Sequence, residues 1–206
     1  MVVFAFSKKR FYDELMKKII LASGSPRRKE LLTEAGIKFD IDVSDYEEDM
    51  NLDLPPLELV KHLSLGKAKV VADRHKNAVI IAADTFVVLK GEVLGKPYTK
   101  EKAKEMLEKL SGQAHSIFTG FAIIDTETGE TVSEAQESKI CFREIQPEEI
   151  EDYINSGEPL DKAGAYAIQG GGGKFVENIE GDYTGIIGIP MKAFLEKFEK
   201  IMSKDL

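Results

Sequence analysis

Along most of the chain, short apolar runs that read as buried strands alternate with stretches of helical periodicity. The first run covers residues 19–22 and leads into the turn Ser23-Gly24-Ser25-Pro26. Pro26 suits the first turn of a helix, Leu31, Leu32 and Ala35 give that helix an apolar stripe, and Gly36 ends it. Residues 39–43 read as a second strand. Pro55-Pro56 opens a long helical pattern that ends near Arg74. Residues 78–83 form the most strongly apolar run, far short of the ~20 residues that cross a bilayer, so they read as a buried strand. Residues 85–89 and 92–94 flank Lys90-Gly91 as a hairpin. A helix over 99–110, two long strands over 115–125 and 131–143, and a helix over 147–155 follow. Residues 158–190 are glycine-rich and irregular, with a strand candidate at 175–179, and a helix over 190–202 closes the pattern. No internal repeat or low-complexity linker interrupts it. This order implies an α/β or α+β domain with a large mixed sheet, with two lobes on one continuous sheet.

Composition removes several function classes. The 206 residues carry 28 Lys+Arg against 36 Asp+Glu, a formal net charge of −8. A chain that binds a nucleic-acid polymer shows a basic footprint, and none is visible here. A hydrophobic content of 43% excludes a disordered chain. The single cysteine, Cys141, has no partner for an internal disulfide or a cysteine-cluster metal site, and it reads as a core residue of a strand. His62, His75 and His115 are scattered without HExxH spacing, so surface or capping roles are expected. The apolar opening has its basic residues Lys8, Lys9 and Arg10 after it, the reverse of a secretory signal. A reduced, cytoplasmic protein with no membrane span is expected.

Five segments carry candidate chemistry. Ser23-Gly24-Ser25-Pro26-Arg27-Arg28 joins a strand to a helix N-terminus, where free backbone N–H groups and the dipole attract anions. Two guanidiniums there suit phosphate oxygens. A serine cap followed by a solvated helical turn fits the same pattern. Asp84 follows the apolar strand, and a carboxylate at a strand's end is placed to hold Mg²⁺ or to orient a water. A turn or cap role is the alternative. Tyr46-Glu47-Glu48-Asp49 offers hard oxygen ligands, or is a solvated charge run. Lys67 and Lys96 stand beside Gly66, Gly95 and Pro97, either pinned toward a ligand or simply solvated. Residues 161–173 combine glycines with Gln169, whose amide both donates and accepts hydrogen bonds, as reading a base requires. A flexible surface loop is the other reading. No GxxxxGK[ST] loop and no GxSxG elbow is present.

Six stretches of the chain together resemble the Maf family of nucleotide pyrophosphatases: LASGSPRRKELL at 21–32, AADTFVV at 82–88, GEVLGKP at 91–97, LSGQAHSIFTG at 110–120, DKAGAYAIQG at 161–170 and GDYTGIIGIP at 181–190. They occur in family order and cover roughly residues 16–200. The resemblance implies a two-lobed α/β fold with an active-site cleft, similar to inosine-triphosphate pyrophosphatases. It also implies hydrolysis of a nucleoside triphosphate between the α and β phosphates, with a divalent metal, Mg²⁺ or Mn²⁺, and a homodimer.

Residue by residue, Asp84 matches the family's catalytic carboxylate, and Glu48 joins it as a second carboxylate at the metal. Ser23, Arg27 and Arg28 match the phosphate-binding signature. Lys67 and Lys96 match polar residues lining the cleft. Arg28, Thr85 and Gln169 match positions tied to substrate choice. The DKAGAYAIQG form is similar to that of the branch acting on dTTP and UTP, which implies housecleaning of nucleotide pools, including modified pyrimidines. A nucleotide-binding regulator of septation without turnover and a purine ITP/XTP pyrophosphatase are the rival readings. Family members begin just before the first strand, in the form of Met16-Lys17-Lys18-Ile19-Ile20. Residues 1–15 therefore read as an extension, from an upstream start or as an appended helix, and residues 16–206 as one pyrophosphatase domain.

Overall fold

The computed structural model describes residues 17–50 and 52–203. The expected extension over residues 1–15 lies outside the described residues. The elements are β1 (Lys18–Leu21), α1 (Pro26–Glu34), β2 (Asp40–Ile41), α2 (Pro56–Ala72), β3 (Ala78–Leu89) and β4 (Glu92–Leu94). There follow α3 (Lys100–Leu110), β5 (Ala114–Asp125), β6 (Thr131–Phe142), α4 (Pro147–Asn155), three short 3-10 turns within 158–175, β7 (Val176–Glu180), α5 (Tyr183–Ile187) and α6 (Met191–Met202). The strands form one seven-stranded sheet of order β2-β1-β3-β5-β6-β7, with β4 paired to β3. β1 runs parallel to β2 and β3, whereas β4 and β7 pair antiparallel with β3 and β6. The mixed α/β architecture is the one the alternating pattern implies.

By contacts the chain divides into two compact units. Of the described residues, the first comprises 17–50, 52–84, 120–135 and 188–203. Its strands β1 and β3 are buried on both faces, which is why they read as continuous apolar runs. Ile20, Ile80, Ala82, Ala122 and Ile124 pack there against Ala68 and Val71 of α2. That helix lies very close to β5. A Cβ on Gly120 would sit 2.5 Å from the Val60 carbonyl oxygen, so only glycine permits the approach. Phe194 of α6 meets Phe121 edge-on and stacks on Phe198.

The second unit comprises residues 85–119 and 136–187. Leu107 and Leu110 of α3, Ile150 and Tyr153 of α4, and Ile117, Ile140, Phe142 and Phe175 share its core. Phe142 is its aromatic hub, with the His115 and Tyr166 rings each 4.8 Å away and tilted edge-on.

Several expectations change. The second strand shrinks to Asp40–Ile41, because β1 leaves the sheet after Leu21 and the last ladder bond is Asp42 N–H to the Leu21 carbonyl, 3.2 Å. The apolar run at 78–83 does not end at Asp84. β3 continues through it to Leu89, with only Thr85 less than buried. His115 is not a surface or capping residue: it is 3% exposed, with Nε2 at 2.8 Å from the Tyr166 hydroxyl. Cys141 is half-buried rather than core, because Ile140 and Phe142 take the inward positions of β6 and Cys141 faces the other way. Among the described residues no helix is long and apolar enough to cross a membrane.

Candidate active site

The end that organises the site belongs to β1, not β3. Ala22 N–H donates to the Ile81 carbonyl at 2.8 Å, and the chain then leaves the sheet as the Ser23 turn. Ser23 is buried, and its hydroxyl accepts from Ser25 N–H at 3.3 Å and from Arg28 Nη1 at 3.1 Å. Ser25 occupies the N-cap position of α1 but makes no side-chain cap, and Pro26 fills the first turn. The capping reading of this segment therefore does not describe its side chains. The first turn of α1 holds no acidic residue, so its N-terminal dipole meets no carboxylate of its own. Arg28 is half-buried and its Nε donates to the Gly188 carbonyl at 3.2 Å. Burial lowers the guanidinium's pKa, Asp84 opposes that shift, Arg27 adds to it and Glu48 opposes it again. Arg27, Asp84 and Glu48 thus lie within electrostatic reach of Arg28.

Asp84 is 6% exposed, and its Oδ1 accepts a short hydrogen bond from Lys67 Nζ. Lys67 projects from α2, and its ammonium also meets Glu48 Oε1 at 2.8 Å. The Glu48 side chain is 42% exposed against 13% for Lys67. One ammonium is therefore gripped by a buried carboxylate on one side and a solvent-facing one on the other. The acidic segment at 46–49 is not a plain solvated run, since Glu48 is engaged by α2.

Among the described residues no group of three or more His, Cys, Asp or Glu side chains is placed to ligate an ion. The donor set is the pair Glu48 and Asp84, already converging on one cation, Lys67. That set suits Mg²⁺, which keeps several waters and takes only one or two protein carboxylates beside substrate phosphates. The residues fit such an ion.

The remaining sequence candidates belong to the second unit. Thr85 Oγ1 lies 3.1 Å from Thr119 Oγ1, and the Thr119 hydroxyl donates to the Gly185 carbonyl at 2.8 Å. Lys96 is exposed. Asp161 is held below its usual range, first by the Lys162 hydrogen bond, with Lys96 among the smaller contributions. Gln169 is exposed. The backbone around it is anchored: Ala167 N–H donates to the Tyr153 hydroxyl at 3.0 Å and Gly171 N–H to Glu158 Oε2 at 2.8 Å.

Three contributors escape a reading of residue types. Gly188 receives Arg28 at φ +146°, and a Cβ there would stand 3.3 Å from Arg28 Cγ. Its signal was the glycine inside the matched stretch at 181–190, but a carbonyl partner leaves no mark on side-chain chemistry. Glu158 and Tyr153 fasten the loop that bears Gln169, and each reads in sequence as an ordinary helical or turn residue.

With this geometry in place, the comparisons with known proteins fall in line. The family model described as Maf-like protein matches residues 18–201. A Bacillus cereus (strain G9842) protein named dTTP/UTP pyrophosphatase is 46% identical over 185 residues, covering 90% of this chain and 96% of its own length. A Bacillus mycoides (strain KBAB4) protein of the same name is 46% identical over 188 residues, covering 91% of this chain and 97% of its own. A Bacillus anthracis protein, again so named, is 45% identical over 185 residues, with 90% and 96% covered. A model match over nearly the whole described chain, joined by relatives at this identity and coverage, makes the chain a member of the Maf family.

Proposed function

We propose that the chain is a nucleoside triphosphate pyrophosphatase that hydrolyses dTTP and UTP to the monophosphate and pyrophosphate. The observation that carries this reading is the Lys67 ammonium shared by Asp84 and Glu48, with Arg28 electrostatically coupled to both carboxylates. The names of the relatives supply the base preference.

In the proposed reaction a water attacks the α-phosphorus and the bond from that phosphorus to the α–β bridging oxygen breaks. Asp84 takes the water's proton. Its Oδ1 is committed to Lys67, which fixes the carboxylate's orientation and leaves Oδ2 for the proton. Arg27, Arg28 and Lys67 neutralise the triphosphate, and the Ser23 hydroxyl holds Arg28 in place. Such positioned charge is worth several kcal/mol in a water-poor site. Asp84 and Glu48 would hold the divalent cation, Mg²⁺ or Mn²⁺. That ion supplies charge neutralisation at phosphate oxygens and an acidified water. From the second unit, Lys96 is assigned to phosphate, and Thr85 and Gln169 to choice of nucleotide. A cytoplasmic homodimer completes the proposal, supported by the family resemblance and by the lone cysteine; sedimentation of the purified chain tests the dimer.

A metal-dependent panel of dTTP, UTP, ITP and 7-methyl-GTP with product identification tests the reading. Pyrophosphate released from dTTP and UTP, with little from ITP, is the expected result. Orthophosphate as the first product overturns the cleavage position. Tight binding without any product overturns catalysis in favour of a nucleotide-binding regulator.

A further inference from the structure

We propose that Tyr46 is a positioning residue that holds Glu48 against Lys67 by seating its ring on Gly66; this rests on the assignment of Glu48 proposed above. The contact is unusually close. A Cβ added to Gly66 would fall 2.4, 2.6 and 2.8 Å from three carbons of the Tyr46 ring, so the ring lies directly on the bare backbone of α2. The Tyr46 hydroxyl stands 3.2 Å from His62 Nε2. His62 and Gly66 are four residues apart on α2 and so share one face, one turn above the other. The ring and its hydroxyl span that turn. Lys67 is the next residue after Gly66, and Glu48 is two residues after Tyr46. Seating the ring therefore delivers Glu48 Oε1 to Lys67 Nζ, at 2.8 Å.

The other fastenings of this segment are weaker. Arg74 pairs with Asp42 and Asp45, and His75 Nε2 lies 2.8 Å from Asp42 Oδ2, all at the far end of α2. Arg74 and Asp45 are exposed, where ion pairs contribute little to order, and the half-buried Asp42–His75 pair sits away from Gly66. Glu48 itself is 42% exposed, so its pair with Lys67 cannot by itself hold the loop. Between those ends the Tyr46 ring packs directly on Gly66. It also accounts for a glycine inside a helix, where glycine is otherwise unfavourable.

The test compares Tyr46→Ala, Tyr46→Phe, Gly66→Ala, Glu48→Gln and the double variant Tyr46→Ala/Glu48→Gln. Each is assayed for kcat with dTTP and for amide hydrogen exchange over residues 44–49. Tyr46→Ala is expected to lower kcat about tenfold, within the ~10²-fold that misplacing a working group by about an ångström costs. Gly66→Ala, which puts a methyl where the ring rests, should reproduce that loss. Tyr46→Phe keeps the ring and should retain most of the rate. In the Glu48→Gln background Tyr46→Ala should cost nothing further, because both changes remove the same placed carboxylate. Exchange at 44–49 should accelerate in Tyr46→Ala and Gly66→Ala but not in Tyr46→Phe. Unchanged exchange in Tyr46→Ala overturns the latch. An equal loss of rate in both Glu48 backgrounds overturns its link to Glu48. A silent Glu48→Gln instead overturns the assignment of Glu48 on which the proposal rests, and exchange still reports the ring's hold separately.

Discussion

The first unit and the second each bury a polar cluster, and they treat charge in opposite ways. Around Asp84 the groups are ionic: one ammonium shared by two carboxylates, with a half-buried guanidinium coupled to both. Around His115 they are neutral. Burial pushes the His115 imidazole down to about 4, partly opposed by the neighbouring Gln113 backbone, and burial raises the Tyr153 and Tyr166 phenols. Desolvating an ion is costly unless it is paired, so an interior cluster ordinarily goes neutral. The His115 cluster does so and packs like any aromatic core. The Asp84 cluster instead pairs carboxylates with an ammonium and leaves one carboxylate solvent-facing, which is the arrangement a polyanionic substrate and a hard cation would use. The acidic balance of the whole chain, −8, says nothing of this; placement does.

The largest expected effect breaks the ionic side of the contrast. On the proposed reading Asp84→Asn removes the proton acceptor while keeping the shape of the side chain. A loss of about 10³-fold in kcat with dTTP is expected, equivalent to about 4 kcal/mol in the barrier. Near-normal turnover would reassign Asp84 to a structural partner of Lys67.

The neutral side is broken by acid. His115 has a folded pKa of about 4 against an ordinary 6.5. Between those values the unfolded chain binds the proton more readily, so the stability this burial confers is whole above pH 6.5 and is lost progressively as pH falls to about 4. The loss is at most about 3 kcal/mol. His115→Gln keeps a partner for the Tyr166 hydroxyl and removes the titration. Urea midpoints measured from pH 7 to pH 4.5 should converge between variant and parent at the acid end. Parallel curves would show that His115 is not held neutral.

An intermediate effect sharpens the ionic cluster's geometry. Arg28 reaches Ser23 and the Gly188 carbonyl from different nitrogens. Lysine keeps the charge and cannot make both bonds from one planar fork. Arg28→Lys should therefore raise KM for dTTP by about 30-fold, equivalent to about 2 kcal/mol, with a smaller change in kcat. Equal KM values would mean that charge alone matters there.

The same contrast explains what the sequence could reveal. Strands buried on both faces left continuous apolar runs, so β1 and β3 were visible from residue types alone. The helix over Pro147–Asn155 was legible at both ends, from its proline and the Ser156-Gly157 that follows. The chemistry of Ser23, Arg28, Lys67 and Asp84 was legible as residue types, and as motifs once the family resemblance ordered them. What stayed hidden depends on partners distant in sequence. Asp84 was read at a strand's end because it follows the apolar run at 78–83, yet β3 continues past it and the strand that ends beside the Ser23 turn is β1. His115 has no local signal for burial, since Tyr166 and Phe142 come from other elements. Gly188 and Gly66 act through backbone or through the room they leave, and the Glu158 carboxylate acts on a backbone N–H thirteen residues away, so none of the three shows in a local pattern of residue types.

The smallest expected effect tests whether the second unit reads the base. Gln169 lies between two anchored amides, Ala167 on the Tyr153 hydroxyl and Gly171 on Glu158. An amide side chain is able to accept from N3–H of thymine or uracil and donate to their O4, and a freely rotating amide would satisfy cytosine equally well by turning over. Discrimination therefore needs a held loop, which the two anchors provide. Gln169→Ala should lower the ratio of kcat/KM for dTTP over dCTP by about tenfold, or about 1.4 kcal/mol, and leave the metal requirement unchanged. Glu158→Gln, which weakens one anchor but keeps Gln169, should move the same ratio in the same direction by less. If Gln169→Ala instead depresses dTTP and dCTP equally, the residue acts on something both substrates share, the sugar or the triphosphate. The choice of base would then belong to other residues, with Thr85 the next to replace.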